Sequence, residues 1–384
     1  MIETVTRPAR VMRLGRIGHA TMPTSDQRHL AGWQTLRALL GATRPSIPTY
    51  ATRRSRLDTL RHGERFLILL RHAGIGDHLI ASMLFPALRE QYPEVQVTYA
   101  IPSRFHPLFA GTDVQVLAYD GGFDRRWLGA YDLIEDINTP CHAWEFLFVG
   151  RGGTDGDGHG LRWRNRLDIF SRWFGLKIQT PRSDIAISEG EKTEARRLLL
   201  RTRTNGRPVC LLSPFSLDQA KCYPWFAELA TRLEADRWCV RFLHSAPIPG
   251  PVPTLAGLPL RLMGAVVAVA DLIVSVDSAA FHWGGILRRP TVGIFNSNQG
   301  QIYCRDYPTA HPVQTCPTPC IHNVRWGADN ETCPRLTAET LPQMPGRGPA
   351  MSRCFARASV DQILATVREV MGSAGSPRKE HLAP

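Results

Sequence analysis

The sequence predicts an α/β protein built as two Rossmann-like lobes facing a cleft. Three observations carry this. Short apolar runs alternate with helix-period segments along most of the chain, the pattern of βα units. The alternation occurs twice, over stretches of similar size, with no third domain inserted. A length of 384 residues is enough for two separate cores. Apolar content of 43% and charged content of 21% are ordinary for a soluble globular protein.

The first 63 residues stand apart. They hold eleven arginines against three acids (Glu3, Asp26, Asp58), a net of +8 out of +12 for the chain. The simpler reading is a solvated extension, because the chain uses 42 arginines and only four lysines. The other is a loosely ordered arm near an anionic partner: lipid head groups, lipopolysaccharide phosphates or, more weakly, nucleic acid. Residues 29–40 can form a short helix within it. The N-terminus lacks the apolar core of a secretory signal, and Glu3 argues against a transit peptide. The best spanning candidate, 258–276, is broken by Arg261 and Asp271. These features suggest a cytoplasmic protein, at most peripheral to a membrane. Its nine cysteines should then be reduced thiols or metal ligands rather than disulfides.

In the first lobe the expected strands are 66–70, 95–100, 114–118 and 131–137. Between the first strand and its helix lies a tight turn with Gly74 and Gly76, and the helix is expected to start near Asp77. Two glycines let the backbone approach a ligand, and the helix end adds N–H groups and a positive dipole end. Asp77 is either a plain helix cap or a chemical group at the carboxyl edge of a sheet. A dinucleotide-binding reading fails. The third glycine of GxGxxG is replaced by Leu79, and the strand 95–100 ends in Tyr99 and Ala100 without an acid for a ribose. The first helix should close over 86–92 and end at Pro93. The Gly/Asp-rich stretch 150–160 is a flexible loop and a poor phosphate cradle. Residues 161–176 carry Trp163, Trp173 and Phe174 among arginines. They should pack as a helix on the core, with a membrane-facing or acceptor-facing role as the lesser reading. Residues 178–205 form the passage to the second lobe.

In the second lobe strands are expected at 209–213, 239–244, 272–276 and 291–295, with helices at 224–236, 262–270 and 278–287. The loop opening at Ser213 contains Lys221, whose ammonium can neutralise a diphosphate or simply face solvent. The strand 272–276 runs into Asp277, and Ser278 opens a helix whose first N–H groups, with Ala279 and Ala280, suit an anion. His282 follows one turn later. Asp277 as a cap and His282 as a packing residue remain open. Late in the chain, Cys316, Cys320, Cys333 and Cys354 are spaced to make either a tetrahedral zinc or iron site or four reduced thiols; Cys304 is a fifth candidate. The tail after Met371 is expected to be disordered.

These motifs, in this order, resemble glycosyltransferase family 9, the ADP-heptose heptosyltransferases of lipopolysaccharide core synthesis. The carrying residues are Gly76-Asp77, Pro86-Ala87-Leu88 and Pro93; Lys221 with Pro224-Trp225; Asp277 to His282; Gly285 through Pro290-Thr291-Val292 to Phe295; and the segment from Ser359 to Leu364. Ala279 stands where the family carries glycine, Tyr223 where it carries tryptophan, and Asn296 where it carries the last glycine. The resemblance spans residues 64–371. It implies a GT-B architecture: a basic extension 1–63, an acceptor-side lobe 64–190, a nucleotide-sugar lobe 205–371 holding the Cys-rich segment 304–354, and a tail 372–384. It implies inverting sugar transfer, with Asp77 as general base and Lys221 supporting the diphosphate. Ser213, Asp277, Ser278, Ala279 and His282 would line the donor site, beside the glycine turn Gly74 and Gly76. No catalytic metal is implied. The acceptor would be a lipopolysaccharide-core or protein hydroxyl. The cysteine spacing is similar to that of autotransporter heptosyltransferases with a four-cysteine iron finger, and that likeness implies a protein acceptor and a structural iron or zinc; the oligomeric state is left open by the sequence. A catalytically silent nucleotide-sugar-binding protein is the rival class.

Overall fold

The computed structural model describes residues 10–11, 56–60, 62–71, 73–121, 124–137, 165–200, 206–216, 221–296, 299–315 and 359–373. Readings that fall on the basic arm between 12 and 55, the loop 150–160 and the four cysteines Cys316, Cys320, Cys333 and Cys354 lie outside them.

Two parallel sheets form the architecture. The first contains β1 (Arg10–Val11), β2 (Arg65–Leu69), β3 (Gln96–Ile101), β4 (Gln115–Ala118) and β5 (Leu133–Asp136), in the order β1-β5-β2-β3-β4. The second contains β6 (Val209–Ser213), β7 (Cys239–His244), β8 (Thr254–Ala256), β9 (Leu272–Val276), β10 (Thr291–Phe295) and β11 (Ala310–Gln314), in the order β11-β10-β9-β6-β7-β8. Parallel strands need crossovers, and the helices that supply them cover both faces; hence β6, β9 and β10 are mostly apolar and are buried throughout.

Both sheets reverse their winding once. In the first, β2 leads outward to β3 and β4, and the chain then returns to place β5 on β2's other side. In the second, β6 leads to β7 and β8, and β9 then pairs with β6's other side. In open parallel sheets the crevice at such a reversal is where ligands bind.

The helices are α1 (Ile75–Ser82), α2 (Leu84–Gln91), α3 (Trp127–Ala130), α4 (Arg166–Phe174), α5 (Glu189–Leu200), α6 (Phe226–Ala235), α7 (Leu260–Val269), α8 (Ala279–Ile286), α9 (Gly300–Cys304) and α10 (Val360–Ser373). Four strands match the expected bounds; β8, β11 and β1 were not foreseen. β8 is three residues long after a proline-rich loop, and β11 reads AHPVQ, so neither shows the apolar run of a central strand. β1 pairs two residues of the extension with β5, so the extension adds an edge strand to the first sheet. The first helix starts at Ile75, two residues earlier than expected, and is divided: α1 ends at Ser82 and α2 begins at Leu84. Pro86 sits in α2's first turn, where a missing N–H costs no helical hydrogen bond. Within 178–205, residues 189–200 are helix α5, which packs on α7 and is pinned there by Arg261 and Glu191 (2.7 Å). α10 runs to Ser373, past the expected end at Met371, and buries Ile363, Leu364 and Val367 against the second sheet.

The lobes share an apolar seam. One cluster of buried residues runs from Phe66, Tyr99 and Phe170 to Ala265, Phe281 and Trp283. α4 lies on the first lobe, with the Phe174 ring edge-on to Phe66 at 5.4 Å. Trp173 of the same helix gives its indole N–H to Glu135 (3.1 Å), so this amphipathic segment packs inward as expected.

Candidate active site at the two sheet reversals

At the first reversal β2 turns through Gly74 into α1. Gly74 is the helix cap, and Asp77 is the third helical residue. The Asp77 carboxylate folds back: Oδ2 accepts the Gly74 backbone N–H at 2.8 Å. Its Oδ1 lies 2.7 Å from Nη1 of Arg166, the first residue of α4. The capping reading of Asp77 thus describes one oxygen and an ion pair the other. Two acceptor bonds leave a carboxylate with spare lone pairs on both oxygens. Asp77 keeps 22% of its side chain exposed.

Arg166 is set from the other lobe. Its neighbour Asn165, the cap of α4, donates through Nδ2 to Asp306 (2.5 Å) and to the Ile302 carbonyl (3.2 Å). Arg305 adds a two-pronged pair to Asp168. Behind Asp77, His78 is buried against Phe105 with Nδ1 3.0 Å from the Tyr99 hydroxyl. Burial brings its pKa down to about 4, so it is a neutral packing residue near pH 7.

At the second reversal β6 ends in Ser213 and β9 runs into Asp277; Ser213 and Ser275 are cross-strand neighbours. Ser278 caps α8 but makes no side-chain bond to that helix. Its Oγ instead lies 3.2 Å from Ser213 Oγ and 2.9 Å from Ser275 Oγ. Ala279 and Ala280 then begin α8, where the helix presents N–H groups and the positive end of its dipole. Lys221 donates from Nζ to Asp277 Oδ2 at 2.6 Å, and His282 Nε2 lies 3.4 Å from Asp277 Oδ1. Asp277 is not the cap; it precedes it, buried, between a lysine and a histidine. Burial alone would raise its pKa, but the Lys221 ammonium and His282 outweigh that and hold the carboxyl well below the usual range.

The reversals meet at Gly76 and His282. A Cβ on Gly76 would overlap Cδ2 of His282 and stand 3.1 Å from Nε2. The close approach that the sequence assigned to a ligand at Gly76 is occupied by the other lobe's imidazole. So Asp77, Gly76, His282, Asp277 and Lys221 form one continuous set of neighbours. Two members were not foreseen, Arg166 on Asp77 and Tyr307 on His282 (hydroxyl to Nδ1, 3.0 Å). Arg166 was one arginine among many, and nothing near Tyr307 marks it in the sequence. Among the described residues no group of three or more His, Cys, Asp or Glu is placed to hold a metal ion.

Residues 162–303 match the sequence model of glycosyltransferase family 9 (heptosyltransferase). The match contains Arg166, Lys221 and Asp277 to His282; Asp77 lies outside it. No curated protein matches the chain by sequence. Solved structures extend the likeness over both lobes. A glycosyltransferase family 9 protein from Veillonella parvula aligns over 82% of this chain and 99% of its own, at 14% identity and a TM-score of 0.60. The E. coli ADP-heptose lipopolysaccharide heptosyltransferase II aligns over 81% and 100%, at 17% identity and 0.55. TibC, an iron-containing dodecameric glycosyltransferase from enterotoxigenic E. coli, aligns over 82% and 78%, at 14% identity and 0.55. The fold is therefore GT-B, and the matched domain bears out the family resemblance and supports a glycosyltransferase.

Proposed function

We propose that the protein moves a sugar, heptose from ADP-heptose by default, onto an acceptor hydroxyl with inversion at the transferred carbon. The observation that carries this is the meeting of the two sheet reversals at Gly76 and His282, which brings a more open carboxylate, Asp77, beside a buried, charge-paired one, Asp277. Inverting displacement needs that asymmetry: one group to take a proton from the attacking hydroxyl, and a separate positive region for the departing diphosphate.

Asp77 takes the first role. Gly74 and Arg166 orient its carboxylate, and an acceptor hydroxyl approaching from the first lobe would bond to a remaining lone pair and pass it the proton as the new glycosidic bond forms. Lys221 and the α8 N-terminus take the second. Asp277 uses one of the ammonium's three donors, leaving two for diphosphate oxygens. The N–H groups at Ala279 and Ala280 add to these, and Ser213 and Ser278 line the edge of the same site. His282 shapes the donor pocket from beside Asp277. No step requires a metal ion. The acceptor is a lipopolysaccharide-core or protein hydroxyl, and transfer takes place on the cytoplasmic side, at the inner membrane surface for a lipid-linked acceptor. Among the described residues no helix is long and apolar enough to cross a membrane.

The test is incubation with ADP-heptose and either heptose-deficient lipopolysaccharide core or a candidate protein acceptor. Stoichiometric ADP release with a mass increase of one heptose on the acceptor is expected. Neither release nor transfer, with ADP-heptose bound all the same, would favour the catalytically silent binding protein.

A further inference from the structure

The His282 imidazole stands at the most crowded point of the site, and its own orientation needs a cause. Nε2 faces Asp277 Oδ1 at 3.4 Å, and Cδ2 is the atom against which Gly76 must stay bare. Nδ1 is buried, 3.0 Å from the Tyr307 hydroxyl. Tyr307 is 3% exposed, and its ring sits edge-on to Phe281 at 5.7 Å. Gly285, one turn after His282 in α8, leaves the space for that ring: a Cβ there would overlap the Tyr307 ring carbons. The hydroxyl is thus fixed in place by packing, independently of any ligand.

We infer that Tyr307 is a positioning residue: its hydroxyl selects the His282 tautomer that carries hydrogen on Nε2 and directs that N–H at Asp277. An ionised carboxylate only accepts, so the Asp277 contact requires N–H at Nε2. In the neutral form an imidazole has one such hydrogen, so in that form Nδ1 accepts and the Tyr307 hydroxyl is its donor. Burial raises the phenol pKa well above its ordinary value, which keeps that donor protonated. Lys221 already pairs with the Asp277 charge from the other oxygen. Through this relay a residue that touches no substrate sets how Asp277 and Lys221 meet the donor.

The relay rests on the proposed donor site for its functional effect, but its geometry can be tested separately. Nitrogen-15-labelled histidine in the full chain reports the tautomer, with His282 identified by the signal lost in His282→Gln. The wild-type ring should show a protonated Nε2 and an unprotonated Nδ1 near neutral pH. Tyr307→Phe keeps the ring that packs on Gly285. It should unfold within a few degrees of the parent, give a mixed or reversed tautomer, and lower turnover of the nucleotide sugar about tenfold, the size of one hydrogen bond. A wild-type ring protonated on Nδ1, or a Tyr307→Phe ring still held in the Nε2–H form, would overturn the inference. The wild-type spectrum decides this even if the variant fails to fold. A correct tautomer with no turnover of any nucleotide sugar would instead count against the glycosyltransferase reading while leaving the relay in place.

Discussion

The two sheet reversals are built alike and used differently. Each sends a central strand into a helix, and each sets an aspartate at the junction. In the first lobe the aspartate is inside the helix, bonds its own turn and meets an arginine delivered by a later helix. In the second it stands just before the helix, buried, with a lysine and a histidine on its two oxygens. Position relative to the helix start decides this: Asp77 is three residues after its cap, and Asp277 is one residue before its own. Inside the first turn a short carboxylate reaches back to an N–H, and Asp77 stays partly exposed. One residue before the cap it lies at the strand's end, between neighbouring loops, where a lysine and a histidine reach its two oxygens. The same residue type thus yields a partly exposed carboxylate beside an arginine in one lobe and a buried carboxylate paired with a lysine in the other.

Apart from the two aspartates themselves, the largest effect expected on this contrast comes from the anchor's cation. Lys221→Ala should weaken ADP binding and slow transfer by about 10²–10³, the usual loss when one donor to a developing charge is removed. Arginine should restore only part, because a planar fork does not replace a point charge on Asp277. Titration with ADP and steady-state rates measure both. Parent-like values would place Lys221 outside the donor site.

The contact between the reversals is next. Gly76→Ala must displace the His282 ring or the α1 N-terminus, so turnover should fall by tens of fold with a smaller loss of thermal stability. A rate within twofold of the parent would mean that the lobes are not in contact there during reaction.

A third, smaller effect lies away from the site. Glu191 holds α5 to α7 through Arg261, and that pair brings its pKa to about 2 from 4.5. A carboxylate lowered in the fold contributes stability that is complete above about 4.5 and is lost as pH falls from there toward 2. Glu191→Gln should cost on the order of 1 kcal/mol at neutral pH and flatten that part of the acid unfolding curve, with kcat unchanged. A steep acid limb of the same size in the variant would assign it to other groups.

The smallest effect on chemistry is expected from the four cysteines. Cys316, Cys320, Cys333 and Cys354 should bind one zinc or iron per chain, and the Cys316→Ser/Cys320→Ser variant should bind none. Four thiolates leave no open coordination position, so metal loss should lower stability or change assembly before it slows transfer. Elemental analysis of protein purified without chelator reads this. Metal-free wild-type protein that is folded and active would return all four to reduced thiols.

The parts of this arrangement that sequence makes legible are those with a local cause. β6, β7, β9 and β10 appear at their true limits because strands buried on both faces are mostly apolar, even with Arg241 inside β7. The Gly74–Asp77 turn and the Asp277–Ser278 junction could be read for the same reason: glycine or a cap residue between a strand and a helix has few other meanings. What stayed hidden depends on distant pairing. Arg166 reaches Asp77 only because Asn165 is bound to Asp306, 141 residues away. Tyr307 matters only because Gly285 lets its ring in. Edge strands such as β8 and β11 borrow order from a neighbour and carry little pattern of their own.

The most direct test of the contrast is ADP titration and single-turnover transfer on Asp77→Asn and Asp277→Asn, side by side with the parent. Asp77→Asn should bind ADP within about twofold of the parent yet lose transfer by about 10²–10⁴, as removal of a general base requires. Asp277→Asn should lose ADP affinity first, because Lys221 and His282 lose the charge that aligns them. Transfer at the parent's rate in Asp77→Asn, or unchanged ADP affinity in Asp277→Asn, would contradict the division of labour between the two aspartates.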